Sequence, residues 1–124
     1  MGRPHCAGTP LDWWEKEMIY ELRIYKCVPE KLEDVIKRFE QPVLPIWKEL
    51  GIEPSGFWTN SIDGVDQIVY MIPWTSDVER EEKMRKFATD PRWLEAKATS
   101  EAGGPIVASF SSQMMQATSF SAMR

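Results

Sequence analysis

Hydrophobic and polar residues alternate with a period of two between Met18 and Tyr25. Such alternation is typical of a β-strand with one apolar face and one mixed face. Because helices pack on apolar surfaces, we expect the mixed face to lie on the side of the sheet that helices leave uncovered. The apolar face consists of Tyr20, Leu22 and Ile24, and the mixed face consists of Ile19, Glu21, Arg23 and Tyr25.

A helical pattern follows, beginning at Pro29 and ending at Gly51. Its apolar residues are spaced one, three or four positions apart and form one continuous stripe. Pro42 and Pro45 interrupt the stripe, and each removes a backbone hydrogen bond. The sequence therefore predicts a kinked helix, or two abutting helices. The stripe consists of Leu32, Val35, Ile36, Phe39, Val43, Ile46, Trp47 and Leu50.

The remainder of the chain is predicted to contain a hairpin, two helical segments and a last strand. Ser76 and Glu79 have the spacing of a capping box, which starts the first of these helices. Asp90 and Pro91 start the second, shorter helix. The predicted strands are residues 55–62 and 67–74, joined by a turn at residues 63–66, and residues 106–115.

The predicted order of elements is therefore strand, helix, strand, strand, helix, strand. This βαββαβ order is that of the ferredoxin-like unit, a four-stranded antiparallel sheet with both helices on one face. The other face carries apolar and aromatic area, and a large exposed apolar patch is unusual on a monomer. We expect an α+β fold that forms a homodimer across this face, giving a two-sheet barrel.

The composition of the chain argues against several classes of function. The chain has 124 residues, of which 43% are hydrophobic and 27% charged, as expected for one folded domain. Acidic residues outnumber basic ones by 19 to 15, which argues against nucleic-acid binding. No apolar run approaches the roughly 20 residues of a membrane span. With Cys6 and Cys27 expected as reduced thiols, we predict a cytoplasmic protein.

Residues 1–17 precede the regular pattern of helices and strands. The folded domain is predicted to span residues 18–124. The segment is either an N-terminal arm, disordered or docked on the domain through Trp13 and Trp14, or an extension upstream of a start at Met18. It contains His5, the one histidine of the chain. A histidine-held metal or haem is therefore not expected in the domain, and we predict no cofactor.

The mixed face of the first strand carries the candidate catalytic residues. If this face lines a cavity, Glu21 is a candidate base, Arg23 a partner for an anionic or enolate oxygen, and Tyr25 an orienting donor. The alternative is structural: an ion pair that fixes the register of the strands or closes the dimer seam.

Four further residues are candidates for ligand binding. Trp58 and Asn60 share one face of the second strand, and Tyr70 lies on the third strand. Arg80 lies on the apolar line of its helix, four residues before Met84, and a cation there needs a carboxylate, a helix C-terminus or an anionic ligand. Packing in the core or barrel, and for Arg80 a structural ion pair, are the alternatives.

Six segments in order along the domain make the sequence resemble the NIPSNAP family. The resemblance implies a dimeric α+β barrel built from the ferredoxin-like unit. It does not imply one activity, since the roles proposed for the family range from small-molecule enzymes to interaction and signalling proteins. The segments are Ile19–Tyr25, Phe39–Ile46, Gly56–Asn60, Ser76–Glu81, Asp90–Trp93 and Met115–Ser121.

The chain departs from the family pattern at two points. Relatives often carry a histidine just before Gly51, where this chain has Glu49 and Leu50, and a proline where this chain has Ala117.

Two hypotheses about the function follow from the sequence. The first is a homodimer that binds a small apolar or aromatic metabolite, with cofactor-free proton-transfer chemistry (isomerase, cyclase or oxygenase) if it is an enzyme. The alternative is a non-catalytic interaction or signalling module that captures partners through Trp13 and Trp14.

Overall fold

Four strands form one antiparallel sheet in the computed structural model, which describes residues 18–123. Across the sheet their order is β2-β3-β1-β4. This is the ferredoxin-like arrangement, and it confirms the predicted α+β fold class. The arm with His5, Trp13 and Trp14 lies outside the described residues. The strands are β1 (Ile19–Cys27), β2 (Gly56–Ile62), β3 (Val65–Trp74) and β4 (Val107–Gln116).

The first helical region is broken where the prolines predicted a break. A π-helical turn, Phe39–Val43, separates two α-helices, and Gln41 within it has the extended dihedral angles φ −149° and ψ 111°. The region ends at Gly51, whose φ of 79° gives the left-handed C-cap that glycine favours. Within residues 18–123 the α-helices are α1 (Leu32–Arg38), α2 (Leu44–Leu50), α3 (Asp77–Ala88) and α4 (Pro91–Ser100).

The turn between β2 and β3 is shorter than the sequence predicted. Asp63 and Gly64 alone form it, with φ of 53° and 78°. Val65 already pairs with Ile62, so the prediction of a turn over residues 63–66 was wrong. A two-residue turn with both φ positive matches the right-handed twist of the strands, which is why Asp-Gly closes the hairpin so tightly.

The start of α3 confirms the predicted cap, with one change of partner. The Ser76 hydroxyl accepts a hydrogen bond from the Glu79 backbone N–H at 3.1 Å. The Glu79 carboxylate does not return to Ser76 but accepts from the backbone N–H and the hydroxyl of Thr75, at 2.6 and 2.7 Å. Lys83, one turn later, donates to the same carboxylate at 2.7 Å.

The core lies between the helices and one face of the sheet. All eight residues of the predicted helical stripe belong to it or pack against it. From β3, alternate residues point into this layer, and their cross-strand neighbours on β1 share that face. The buried apolar residues are Cys27, Val35, Phe39, Val43, Ile46, Trp47, Ile52, Ile68, Tyr70, Ile72, Trp74, Phe87 and Ile106.

The phase of β1 is opposite to the prediction. Arg23 pairs directly with Tyr70, which is fully buried beneath the helices, so Arg23 lies on the helix-covered face. Glu21 and Tyr25 share that face, and the prediction that they lie on the uncovered side was wrong. The physical reason is that the polar groups of this row find hydrogen-bond donors and aromatic rings on the neighbouring strands, so their burial is compensated.

The uncovered face of the sheet is apolar at its centre. It presents the apolar row of β1, which the sequence pattern predicts to face the helices, together with the neighbouring residues on β3 and β2. Trp58 on β2 remains 54% exposed. The described part of the chain contains no helix of the length and apolarity that a membrane crossing requires. The central residues of this face are Leu22, Ile24, Val69 and Met71.

Candidate functional site

Glu21 is the most buried charged group of the sheet, with 1% of its surface exposed. Three donors surround its carboxylate. Its Oε1 atom accepts from the indole N–H of Trp74 at 3.0 Å. Its Oε2 atom accepts from the Ser112 hydroxyl at 2.6 Å and from Arg23 Nη1 at 3.1 Å. Donors from three strands thus hold one carboxylate in a fixed orientation.

Arg23 lies beside Glu21 and is 9% exposed. Its Nη2 atom donates to the hydroxyl of Tyr25 at 3.0 Å. Its Cζ atom lies 5.7, 5.8 and 5.2 Å from the ring centroids of Tyr25, Tyr70 and Phe110, within cation–π range. Burial lowers the pKa of Arg23, but the neighbouring Tyr70, Tyr25 and Glu21 raise it further, above its usual value. The guanidinium is therefore a permanent positive charge.

Tyr70 is fully buried in the same layer. Its hydroxyl faces that of Tyr25 but has no hydrogen-bond partner of good geometry among the described residues. Burial and the neighbouring Tyr25 raise the pKa of Tyr70 well above its usual value, so it is a neutral donor at ordinary pH. The Nε atom of Arg23 likewise lacks an acceptor within residues 18–123. Two buried donors beside Glu21 thus lack a hydrogen bond of good geometry in the described part of the chain, and so do the indole N–H of Trp47 and the Nε atom of Arg80.

We refer to this group of side chains as the Arg23 cluster. It joins residues from β1, β3 and β4 on the helix-covered face of the sheet, and it contains one carboxylate and one guanidinium. Its members are Glu21, Arg23, Tyr25, Tyr70, Trp74 and Ser112.

Aromatic rings close the cluster on the helix side. Phe39, the first residue of the π-helical turn, has its ring centroid 5.6 Å from that of Tyr25 and 5.3 Å from that of Tyr70. Trp47 lies 5.9 Å from Tyr70. A small void of about 20 Å³ remains between Tyr25 and these rings. This space is enough for about one water molecule, so a ligand cannot enter from the helix side.

The β4 side of the cluster is open instead. Phe110 pairs with Tyr25 and Met114 pairs with Glu21, so both residues share the face of the cluster. They remain 57% and 42% exposed, because the helices do not extend over this strand. The cluster therefore lies at the boundary between the covered and the open parts of one face, with Phe110 at its entrance.

A separate apolar groove of about 330 Å³ lies at the opposite edge of the sheet, against β2. It shares Phe39 with the wall of the cluster. Phe57, stacked on Tyr70 at 4.7 Å between centroids, forms part of its floor. The aromatic wall thus separates this groove from the buried charges.

The structure brings only some of the predicted site residues together. Glu21, Arg23, Tyr25 and Tyr70 form one cluster. Trp58 and Asn60 pair with Val69 and Gln67 and so lie on the other face of the sheet.

Arg80 is also separate from the cluster. Its Nε atom lies 3.8 Å from Asp77 Oδ1, one turn earlier on α3. This is the structural ion pair that the sequence left open as the alternative.

Three residues of the site were not predicted: Trp74, Ser112 and Phe110. Trp74 was within reach of sequence reasoning, because it continues the alternating row that contains Tyr70. Ser112 and Phe110 carry no such signal, since their role depends on the register between β1 and β4, strands that are far apart along the chain. Among the residues that the structure describes, no group of His, Cys, Asp and Glu side chains is arranged to hold a metal ion.

The fold and the comparisons define a ferredoxin-like α+β protein. A NIPSNAP family protein of unknown function from Agrobacterium tumefaciens is 24% identical, with a TM-score of 0.75 over 88% of this chain and 96% of that one. A NIPSNAP-like domain protein from Burkholderia xenovorans is 21% identical, with a TM-score of 0.74 over 86% and 90%. The sequence model of the NIPSNAP family matches residues 20–122. The chain belongs to the NIPSNAP family.

The same fold occurs in a protein of stated activity. A monooxygenase from Streptomyces coelicolor, solved in complex with nanaomycin D, is 12% identical, with a TM-score of 0.55 over 84% of this chain and 90% of that one. This likeness concerns the fold. No curated protein matches the chain.

Proposed function

We propose that this protein is a homodimer that binds a small apolar or aromatic metabolite at the Arg23 cluster. The observation that carries the proposal is a buried ion pair set among aromatic rings with two donors unused. A buried pair of this kind is often no more stabilising than apolar packing, so its stability alone does not explain it. Buried charged groups beside an opening are typical of ligand and active sites.

The cluster also supplies the groups for cofactor-free proton transfer. Arg23 stabilises negative charge that develops on a carbonyl or phenol oxygen, and Tyr25 orients the ligand. Glu21 is the carboxylate of the cluster and the candidate base. One of its donors is the Ser112 hydroxyl, which can rotate away and free a lone pair on Oε2. Isomerisation, cyclisation or oxygenation of an enolisable compound fits these groups.

The Streptomyces monooxygenase lends this proposal support by analogy. That protein has the same fold and was solved with nanaomycin D bound. Because unrelated functions share a fold, the analogy favours the class of chemistry and leaves the substrate open.

The proposed homodimer rests on the uncovered face of the sheet. Its central residues are aliphatic, and Trp58 beside them is more than half exposed. A second copy placed against this face would remove both apolar surfaces from water and form a two-layered barrel. The Arg23 clusters of the two copies would then lie on the outer sides of the barrel, under their own helices.

Native mass spectrometry of the full chain, purified without added ligands, tests the proposal. We expect a dimer that carries a defined extra mass, and we expect Arg23→Met to lose this mass. Arg80→Met is the matched control, because it removes a guanidinium outside the cluster, and it should keep the mass. A dimer with no extra mass favours the non-catalytic interaction module. An extra mass that survives Arg23→Met contradicts the assignment of the site.

A further inference from the structure

We propose that Arg23 and Tyr70 together form a receptor for an anionic oxygen, so that the ligand is an aromatic acid or an acidic phenol or enol. The inference rests on the proposed function and specifies its ligand class. It begins from two buried atoms, Arg23 Nε and Tyr70 Oη, which make no hydrogen bond of good geometry among the described residues, although the Tyr70 hydroxyl faces that of Tyr25.

The burial of these two donor atoms is unfavourable unless each of them finds a hydrogen-bond acceptor. An unsatisfied buried donor loses its hydrogen bonds to water without replacement, and most buried polar atoms in folded proteins are paired. Both atoms belong to residues that are at least nine-tenths buried. The Arg23 guanidinium carbon lies 5.8 Å from the Tyr70 ring centroid, so the two residues are direct neighbours. One ligand oxygen, or the two oxygens of a carboxylate, can satisfy both donors.

The Arg23 guanidinium favours an anion over a neutral group, because Glu21 contacts it through Nη1 alone. The carboxylate of Glu21 divides its charge among three donors, of which Arg23 is only one. The positive charge of Arg23 is therefore incompletely compensated at its Nε side. Hydrogen bonds from a charged donor to a charged acceptor are roughly twice as strong as neutral ones, and low polarity strengthens them further.

The entrance to the cluster determines the shape of the ligand. The Phe110 ring is 57% exposed, and its centroid lies 5.2 Å from the guanidinium carbon of Arg23 and 5.4 Å from the Tyr25 centroid. A flat aromatic body can stack on Phe110 while its acidic oxygen points towards Arg23. Met114, on the same face, provides an adaptable apolar wall.

Two probes of the same shape test the inference on the full chain: 2-naphthoate, which is anionic, and 2-naphthamide, which is neutral. Isothermal titration calorimetry near pH 7 gives the ratio of their dissociation constants. We expect 2-naphthoate to bind about tenfold more tightly or better. Tyr70→Phe, which is isosteric, should reduce this ratio severalfold, and Arg23→Met should bring it close to one. Arg80→Met should leave it unchanged.

Three outcomes would overturn the inference. They are equal binding of the two probes, an anion preference that survives both cluster variants, and the binding of neither probe. If 2-naphthamide binds as well as 2-naphthoate, and Phe110→Ala weakens both, the proposed apolar or aromatic ligand stands while the anionic class fails. The extra mass in native mass spectrometry tests the proposed function independently of these probes.

Discussion

At the scale of single residues, the Arg23 cluster combines groups that stabilise the fold with groups that do not. The Tyr25 hydroxyl accepts a hydrogen bond from Arg23 Nη2, so this buried donor has a partner. The Tyr70 hydroxyl makes no hydrogen bond of good geometry among residues 18–123, although it is more deeply buried. A protein that retains such a group gives up stability at a site where another requirement applies, and ligand binding is such a requirement.

This difference predicts opposite effects for two matched substitutions. Tyr70→Phe removes an unpaired buried hydroxyl, so the free energy of unfolding should stay the same or rise by up to about 1 kcal/mol. Tyr25→Phe leaves Arg23 Nη2 without its acceptor and should lower it by about 1–2 kcal/mol. Urea unfolding followed by circular dichroism measures both values. If Tyr70→Phe destabilises the protein as much as Tyr25→Phe does, the Tyr70 hydroxyl is paired in solution.

At the scale of secondary-structure elements, the local sequence pattern predicted which helices and strands form, but it did not predict which face of β1 lies against the helices. The alternation in β1 identified a strand, and Pro42 identified the break before α2. The orientation of β1 depends instead on Trp74 and Ser112, which lie on other strands and donate hydrogen bonds to the Glu21 carboxylate. A rule that places apolar rows towards helices fails here, because the uncovered face of the sheet is apolar as well.

The cap of α3 gives a prediction for the dependence of stability on pH. Partial burial raises the pKa of Glu79, but hydrogen bonds from Lys83 and Thr75 lower it further, to about 2, from an ordinary value of 4.5. Because the pKa is lower in the folded state, the stabilisation is complete above pH 4.5. It is lost as the pH falls towards 2.

The loss of stability between pH 6 and pH 3 should therefore be smaller in Glu79→Gln than in the unmodified chain, by about 1 kcal/mol after allowing for solvent screening. Urea unfolding at the two pH values measures this loss of stability in each protein. Glu82→Gln, at an exposed position of the same helix, is the control and should behave like the unmodified chain. Equal pH dependence in all three proteins would show that the Thr75 and Lys83 contacts do not stabilise the folded state.

At the scale of the whole molecule, the two faces of the sheet have different roles. The helix-covered face holds a core and, at its β4 margin, the Arg23 cluster. The uncovered face holds Leu22, Ile24, Val69 and Met71, a surface that one copy of the chain leaves in contact with water. The sequence predicted the fold and an uncovered face that carries apolar and aromatic area alongside charged residues. It could not assign Glu21 and Arg23 to the correct face, because that assignment follows from the register between distant strands.

The proposed dimer yields a direct prediction, because the centre of the uncovered face can be charged without touching the core. Val69 pairs with Ile24 in the middle of the sheet, so Val69→Lys would place an ammonium group in the proposed interface. A charge removed from water without a partner there is unfavourable, and we expect the variant to sediment as a monomer. Val78→Lys makes the same change on α3, at a position that is 71% exposed, and should remain a dimer.

Sedimentation velocity of the three proteins, with circular dichroism to confirm folding, decides between the outcomes. A dimer in the unmodified chain and in Val78→Lys, together with a folded monomer in Val69→Lys, supports association through the uncovered face. A dimer that persists in Val69→Lys would place the interface elsewhere, and the partly exposed apolar row would then need to be covered by something other than a second copy. Since the Arg23 cluster lies on the opposite face, a folded Val69→Lys monomer should still prefer 2-naphthoate over 2-naphthamide. This result would show that ligand recognition and dimerisation are separable in this fold.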